Sequence, residues 1–169
     1  MSPATPHPTI AQATTTYAIA LGSNRRGRHG SPEREIAAAL ETLGTVVARS
    51  PTVGSAPLGL SNRRYANAVA LIETQEDPAT LLVRLKHIER TFGRRPGRRW
   101  GSRVLDLDIV LWSGGAWSSR GLIVPHAAFR TRSFVLGPLA SLIPQWRDPL
   151  TGRTIRQLAQ SVDQKRPRD

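Results

Sequence analysis

An α+β domain, with helices packed on a mostly antiparallel sheet, is the architecture the sequence predicts. Three observations lead there. Short β-prone runs and amphipathic helical stretches interleave without the regular alternation of a parallel βαβ chain. The helical stretches carry recognisable start and stop residues. The clearest strand, Val104–Trp112, is apolar on alternate residues over most of its length, as a sheet with two unlike faces requires.

Each element has its own local reason. Tyr17–Leu21 is β-prone and is broken by Gly22-Ser23-Asn24. Ser31-Pro32-Glu33 offers a capping hydroxyl, a proline at the first helical position and an acid in the first turn. Ile36, Leu40 and Leu43 follow on one face, and Gly44 stops that helix. Thr45–Val53 is β-prone and is interrupted by Pro51; residues 55–59 read as a loop and Tyr65–Ile72 as a strand. Asp77-Pro78 opens a second helix with Leu81, Leu85, Ile88 and Phe92 on one face and Gly93 as its stop. Val104–Trp112 ends in the turn Ser113-Gly114-Gly115, and irregular chain runs to Val124-Pro125-His126. Phe134–Leu142 and Thr154–Val162 complete the helices.

The chain has 169 residues, a length for one domain with a sizeable core. Residues 1–16 are expected to be a flexible tail, 17–163 the single domain and 164–169 a loose end. There is no Cys, which excludes a disulfide scaffold, a thiolate zinc site and a cysteine nucleophile. No apolar run approaches the ~20 residues of a membrane span. The first 16 residues lack the charge and apolar stretch of a targeting signal, so a cytoplasmic protein is expected.

The net charge is +12, and all but two of the 24 cations are Arg. Arg presents a planar fork that matches phosphate. A nucleic-acid binder, an enzyme for a polyphosphate substrate and a merely solvated basic surface all fit the count, so position must decide. Asp106-Leu107-Asp108 supplies that position. Residues two apart on a strand share a face, so both carboxylates project together. Acids within an apolar strand need compensation. A divalent cation would supply it, since Mg²⁺ is held by one or two carboxylates plus substrate phosphates; a pair of salt bridges to Arg would do so too. Arg99 and Arg103 lie just upstream, and four of the six residues from Arg94 to Arg99 are Arg. Phosphate-binding forks beside metal-binding acids are the parts of phosphoryl or pyrophosphoryl transfer.

The residues Ala20-Leu21-Gly22-Ser23-Asn24, Pro57-Leu58-Gly59, Tyr65-Ala66-Asn67-Ala68-Val69 and Glu89 continue into Arg99-Trp100-Gly101-Ser102-Arg103-Val104-Leu105-Asp106-Leu107-Asp108-Ile109, then Val124-Pro125-His126 and Arg132-Ser133-Phe134-Val135-Leu136. In this order the chain resembles the 6-hydroxymethyl-7,8-dihydropterin pyrophosphokinase family, from about Tyr17 to Ile143. The resemblance implies a ferredoxin-like fold and transfer of pyrophosphate from MgATP to the hydroxymethyl group of the pterin, with release of AMP, in folate biosynthesis. It implies two Mg²⁺ ions on Asp106 and Asp108, with Arg99 and Arg103 sharing the catalytic role. It assigns the pterin to Ser55, Pro57, Leu58, Tyr65, Asn67, Trp100 and Phe134. It assigns ATP to Glu89, Arg94, Arg99, Arg103, Leu107, Ile109, His126 and Arg132. Small molecules are the expected partners, with no nucleic acid or membrane, and the chain is expected to be a monomer. A pterin- or nucleotide-binding paralogue with weakened catalysis is the alternative, and a basic nucleic-acid-binding domain a more distant one. The Arg94–Trp100 loop, with four cations to neutralise, is expected to close over bound triphosphate.

Overall fold

A computed structural model describes residues 12–56, 63–93 and 103–165. The expectations for the first 11 residues, for 166–169, for Pro57 and Leu58, and for Arg94, Arg99, Trp100 and the loop that carries them lie outside the described residues. The elements run β1 (Thr15–Ser23), α1 (Pro32–Leu43), β2 (Val46–Arg49), β3 (Val53–Ser55), β4 (Tyr65–Thr74), α2 (Pro78–Thr91) and β5 (Asp106–Trp112). A hairpin of β6 (Trp117–Ser119) and β7 (Leu122–Val124) follows, then a 3₁₀ turn (Phe129–Thr131), α3 (Ser133–Leu142) and α4 (Ile155–Gln164). The main sheet has the order β2-β4-β1-β5, with β3 also pairing β4, and every pairing is antiparallel. Treating β2 and β3 as one interrupted edge gives βαββαβ connectivity, the ferredoxin-like arrangement.

The sheet is covered on both faces. Tyr17, Ile19 and Leu21 of β1 join Ala66, Ala68 and Ala70 of β4 beneath α1 and α2, whose Ile36, Leu40, Leu81, Leu85 and Ile88 complete that layer. The alanines let the helices lie close to the sheet. On the opposite face Ala18, Val69 and Leu71 pack with Phe129, Val135, Leu136 and Leu139 of the chain around α3, and with Ile155 and Leu158 of α4. Each fully buried aliphatic side chain contributes roughly 1.5–3 kcal/mol. Asp77 caps α2 by accepting from Thr80 N at 2.8 Å, and Thr154 with Gln157 forms a reciprocal capping box on α4. Ser31 occupies the N-cap of α1 without a side-chain hydrogen bond, so its hydroxyl is not the cap that its sequence position suggests.

Several boundaries differ from those read in the sequence. Thr15 and Thr16 belong to β1, not to a tail: they pair with Thr74 and Glu73, and Thr15 Oγ1 accepts from Trp112 Nε1 at 3.1 Å. β5 starts at Asp106, two residues later than expected. Leu111 lies on the α3–α4 face instead of with Leu107 and Ile109. The register of β1 against β5 shifts between Ala18 and Ile19, so Val110 is the extra residue of a bulge and reverses the alternation beyond it. The irregular stretch before Val124 contains the β6–β7 hairpin, closed over Arg120-Gly121 with Gly121 at φ 77°. The third helix begins at Ser133 and passes through Gly137-Pro138.

Candidate active site

The C-terminal end of β1 and the N-terminal ends of β4 and β5 meet at one end of the sheet. Gly22 pairs with Asn67 on one side and with Asp106 on the other. Ala20 pairs with Val69 and Asp108 in the next row. Paired residues share a face, so Asp106, Asp108, Asn67 and Tyr65 all project toward the α3 side. Strand spacing puts the Asn67 and Asp106 backbones about 10 Å apart, with Gly22 between them. A Cβ on Gly22 would stand 3.5 Å from Asn67 Oδ1 and 3.6 Å from Tyr65 Cδ1. The glycine therefore leaves a flat, open floor between an amide and a carboxylate.

Cationic groups face the carboxylates. Arg103 Nη1 donates to Asp106 Oδ1 at 3.0 Å. The Arg103 backbone is fixed in turn by Asn24, whose Oδ1 accepts from Arg103 N at 2.7 Å while its own N–H donates to Arg103 O at 3.0 Å. His126 Nε2 lies 4.0 Å from Asp108 Oδ2. Burial pushes the Asp108 carboxyl above the usual carboxylate range and the Asp106 charge adds to this; His126, Lys86 and Arg132 oppose both. A third of the Asp108 side chain still meets solvent, so a cation can reach it. Two adjacent acids, one of them held toward its neutral form, suit a divalent cation that would relieve both desolvation and repulsion. Among the described residues no group of three or more His, Cys, Asp or Glu could cage a metal. The donor set therefore fits Mg²⁺ carried with phosphate oxygens and water rather than a cation held by protein alone.

The other side suits a flat polar ligand. Asn67 is nearly buried, and its Nδ2 donates to Ser55 Oγ at 2.8 Å, so the Ser55 side chain belongs to this group. Burial raises the Tyr65 phenol above its ordinary pKa; Asp106 adds to the rise, and Arg103 and Arg132 oppose it. The hydroxyl stays neutral near pH 7 and able to donate. Phe134, at the start of α3, lines a groove of about 740 Å³ with Ser55, Ala56, Arg64, Gly137 and Pro138. The Arg132 guanidinium lies 5.9 Å from the Phe134 ring centroid.

Three expected nucleotide contacts look different in the fold. Leu107 and Ile109 point into the α2 core and are 0% and 3% exposed, so only their backbone is available to a ligand. Glu89 is fully buried: its Oε1 accepts from Leu107 N at 2.9 Å, and its Oε2 lies 3.4 Å from Lys86 Nζ. Glu89 thus fastens β5 between the two acids from a buried position, while the side chain of its neighbour Lys86 is 40% exposed. Three further features had no assigned role in the sequence reading: the Asn24 clasp, the fully buried Glu35, which accepts from His29 N at 2.7 Å and meets His29 Nδ1 at 2.8 Å, and the Arg130–Asp148 pair. The Asn24 clasp alone had a local signal, the Gly-Ser-Asn break after β1.

This is the site of a phosphoryl- or pyrophosphoryl-transfer protein by its parts. The profile of the 7,8-dihydro-6-hydroxymethylpterin-pyrophosphokinase (HPPK) family matches residues 18–144, and the chain belongs to that family. It is similar to the 2-amino-4-hydroxy-6-hydroxymethyldihydropteridine pyrophosphokinase of Pseudomonas aeruginosa, 40% identical over 146 residues, 83% of this chain and 87% of that one. The protein of the same name from Haemophilus influenzae is 40% identical over 131 residues, covering 74% and 79% of the two chains. Against the Synechocystis protein of that name, identity is 39% over 99 residues, 59% of this chain and 51% of the relative; the chain thus spans about half of that relative's length. The crystal structure of Plasmodium falciparum HPPK-DHPS superposes with a TM-score of 0.72 at 14% identity, over 90% of this chain and 42% of that one. That likeness is one of fold.

Proposed function

We propose that this protein transfers the pyrophosphoryl group of ATP to the hydroxymethyl oxygen of 6-hydroxymethyl-7,8-dihydropterin and releases AMP. The observation that carries the reading is the single row Asn67–Gly22–Asp106: an amide for the pterin edge and a carboxylate for the metal-bound phosphates, one residue apart across an open floor. The hydroxymethyl oxygen forms a bond to the β-phosphorus, the bond from that phosphorus to the α–β bridging oxygen breaks so that the oxygen leaves on AMP, and the hydroxyl proton passes to solvent. The chain's part is to position the two substrates and offset charge.

Asn67 matches the mixed donor and acceptor edge of the pterin, and Tyr65 and Phe134 give it aromatic surfaces, with Ser55, Pro57, Leu58 and Trp100 completing that side. Arg94, Arg99, Arg103, His126 and Arg132 supply cationic donors to the triphosphate, with Glu89 acting through β5. Asp106 and Asp108 would hold two Mg²⁺ ions, which when bound would supply positive charge to offset that of the phosphates. The same reading makes the domain from β1 at Thr15 to the end of α4 at Gln164 the functional unit and the protein a cytoplasmic monomer acting on small molecules. The acids at the centre of the basic surface would repel a nucleic-acid backbone.

Product analysis tests the reaction. Purified protein with ATP, Mg²⁺ and the pterin alcohol should give AMP and pterin diphosphate in equal amounts, without ADP. Formation of ADP, or tight binding of both substrates with no product, would overturn it, the second outcome favouring a binding paralogue.

A further inference from the structure

The chain from His126 to Phe134 carries three side chains on which the proposed reaction depends, yet its regular structure is one short 3₁₀ turn until α3 begins. Its ends are fastened. His126 N donates to Val110 O of β5 at 3.0 Å, and Arg132 O accepts from Val135 N and Leu136 N in the first turn of α3. Between these ends stands Arg130. Its guanidinium grips Asp148 with both arms, Nε to Oδ2 at 2.6 Å and Nη2 to Oδ1 at 2.8 Å. The Asp148 side chain is fully buried, and Thr151 Oγ1 and Leu150 N donate to the same carboxylate at 2.7 and 3.0 Å. The guanidinium also lies 4.7 Å over the ring of Phe129, which is buried against α3 and α4.

We propose that Arg130 and Asp148 are positioning residues of this site: their fork fixes the Phe129–Thr131 turn against the α3–α4 connection and so sets where Arg132 and Phe134 stand relative to Asp106 and Asp108. The proposal rests on the function given above. A bidentate pair fixes orientation as well as distance. Buried ion pairs stabilise poorly compared with apolar packing of the same volume, and their better-attested use is to specify one arrangement. Here Phe129, Leu136 and Ile155 are already buried, and the fork adds a charged anchor to the turn between the two fastened ends. Neither residue reaches the substrates; the effect passes through Arg132 and Phe134.

Asp148→Asn keeps the shape of the acid and removes its charge. Amide hydrogen exchange, pterin affinity by fluorescence titration and ATP affinity by calorimetry are measured on the full chain. The control is Arg84→Gln, which breaks an ion pair with Glu76 at the opposite end of the sheet. In Asp148→Asn, exchange at Phe129, Arg132, Val135 and Leu136 should rise at least about tenfold, with the centre of β1 unchanged, and both affinities should fall about tenfold or more, as misplacement of binding groups implies. The control should lose thermal stability without either change. If Asp148→Asn does not fold, Thr151→Val, which removes one hydrogen bond to the acid, should show the same pattern on a smaller scale. Raised exchange with unchanged affinities, or affinity losses no larger than in the control, would overturn the proposal. A wild-type protein that binds both ligands but makes no pterin diphosphate would defeat the proposed reaction, while exchange and affinity would still decide the role of the pair. A wild-type protein that binds neither ligand would defeat both.

Discussion

Replacing Asn67 by Ala should cost pterin affinity far more than ATP affinity. The side chain is 6% exposed, and its amide nitrogen already donates to Ser55. The same nitrogen also meets Tyr65 O at 3.5 Å, so the remaining capacity is the carbonyl with two lone pairs, which faces the floor beside Gly22. A pterin edge that loses this partner is left buried and unpaired, at about 1–3 kcal/mol per group. With about 1.4 kcal/mol for each factor of ten, the dissociation constant should rise roughly 5- to 150-fold. ATP and its metal would sit on the Asp106 side, about 10 Å away across Gly22, and effects at that distance usually stay within about 0.5 kcal/mol. Fluorescence titration with the pterin and calorimetric titration with an ATP analogue, on wild type and variant at matched temperature, separate the two. Equal losses for both ligands would show that Asn67 supports the fold, and unchanged pterin affinity would remove it from the pocket.

Gly22→Val should fold normally, because its Cβ makes ordinary contacts at 3.5 and 3.6 Å, but the added methyls would occupy the floor. Thermal melting should be unchanged or raised while pterin affinity falls at least about tenfold; retained affinity would refute the open-floor geometry. Asp148 gives a pH test. Burial acts to raise its pKa but is outweighed by hydrogen bonds from Arg130, Thr151 and Leu150, which hold it at about 2. A depressed folded-state pKa contributes stability that is complete above the unfolded value near 4 and is lost as pH falls from there toward 2. The shift corresponds to about 2.5 kcal/mol. Urea unfolding of wild type and Asp148→Asn should therefore show a gap that narrows as pH drops from 6 to 3; a gap independent of pH would refute the assignment. Any nucleic-acid binding should be weak and disappear at moderate salt, as binding by surface cations does; tight, sequence-selective binding at physiological salt would contradict a site built for small molecules.

The parts of the site carried by local spacing were legible in the sequence. Alternation placed Asp106 and Asp108 on one face, and Tyr65 and Asn67 on one face, and the structure brings both pairs to the same end of the sheet. The helix starts were written in the prolines at 32 and 78, with a working cap only at Asp77, and the stops in Gly44 and Gly93. What stayed hidden depends on contacts between distant residues. No residue type marks Val110 as a bulge, yet that bulge moves Leu111 to the other face. Asn24 and Arg103 are 79 positions apart, and Arg130 and Asp148 are 18 apart; each pair looks like a solvated polar residue until the fold closes. The hold of Glu89 on β5 stays hidden because helical periodicity says nothing of the strand whose Leu107 N–H donates to it. The β6–β7 hairpin had a signal, Arg120-Gly121 between two short β-prone runs, that local reading passed over.

The acids of β5 offer the most direct test of the whole account. Asp106→Asn and Asp108→Asn remove one carboxylate each from two successive rows on the sheet face turned to the substrates, with little change in volume. Turnover to AMP and pterin diphosphate should be measured across a Mg²⁺ titration, together with thermal melting in the absence of metal. The account predicts that both variants fold, with Asp108→Asn melting no lower than wild type because it removes a partly buried charge beside a like one, and that both lose nearly all turnover at every Mg²⁺ concentration. Mg²⁺-dependent turnover retained near the wild-type level in both variants would contradict it.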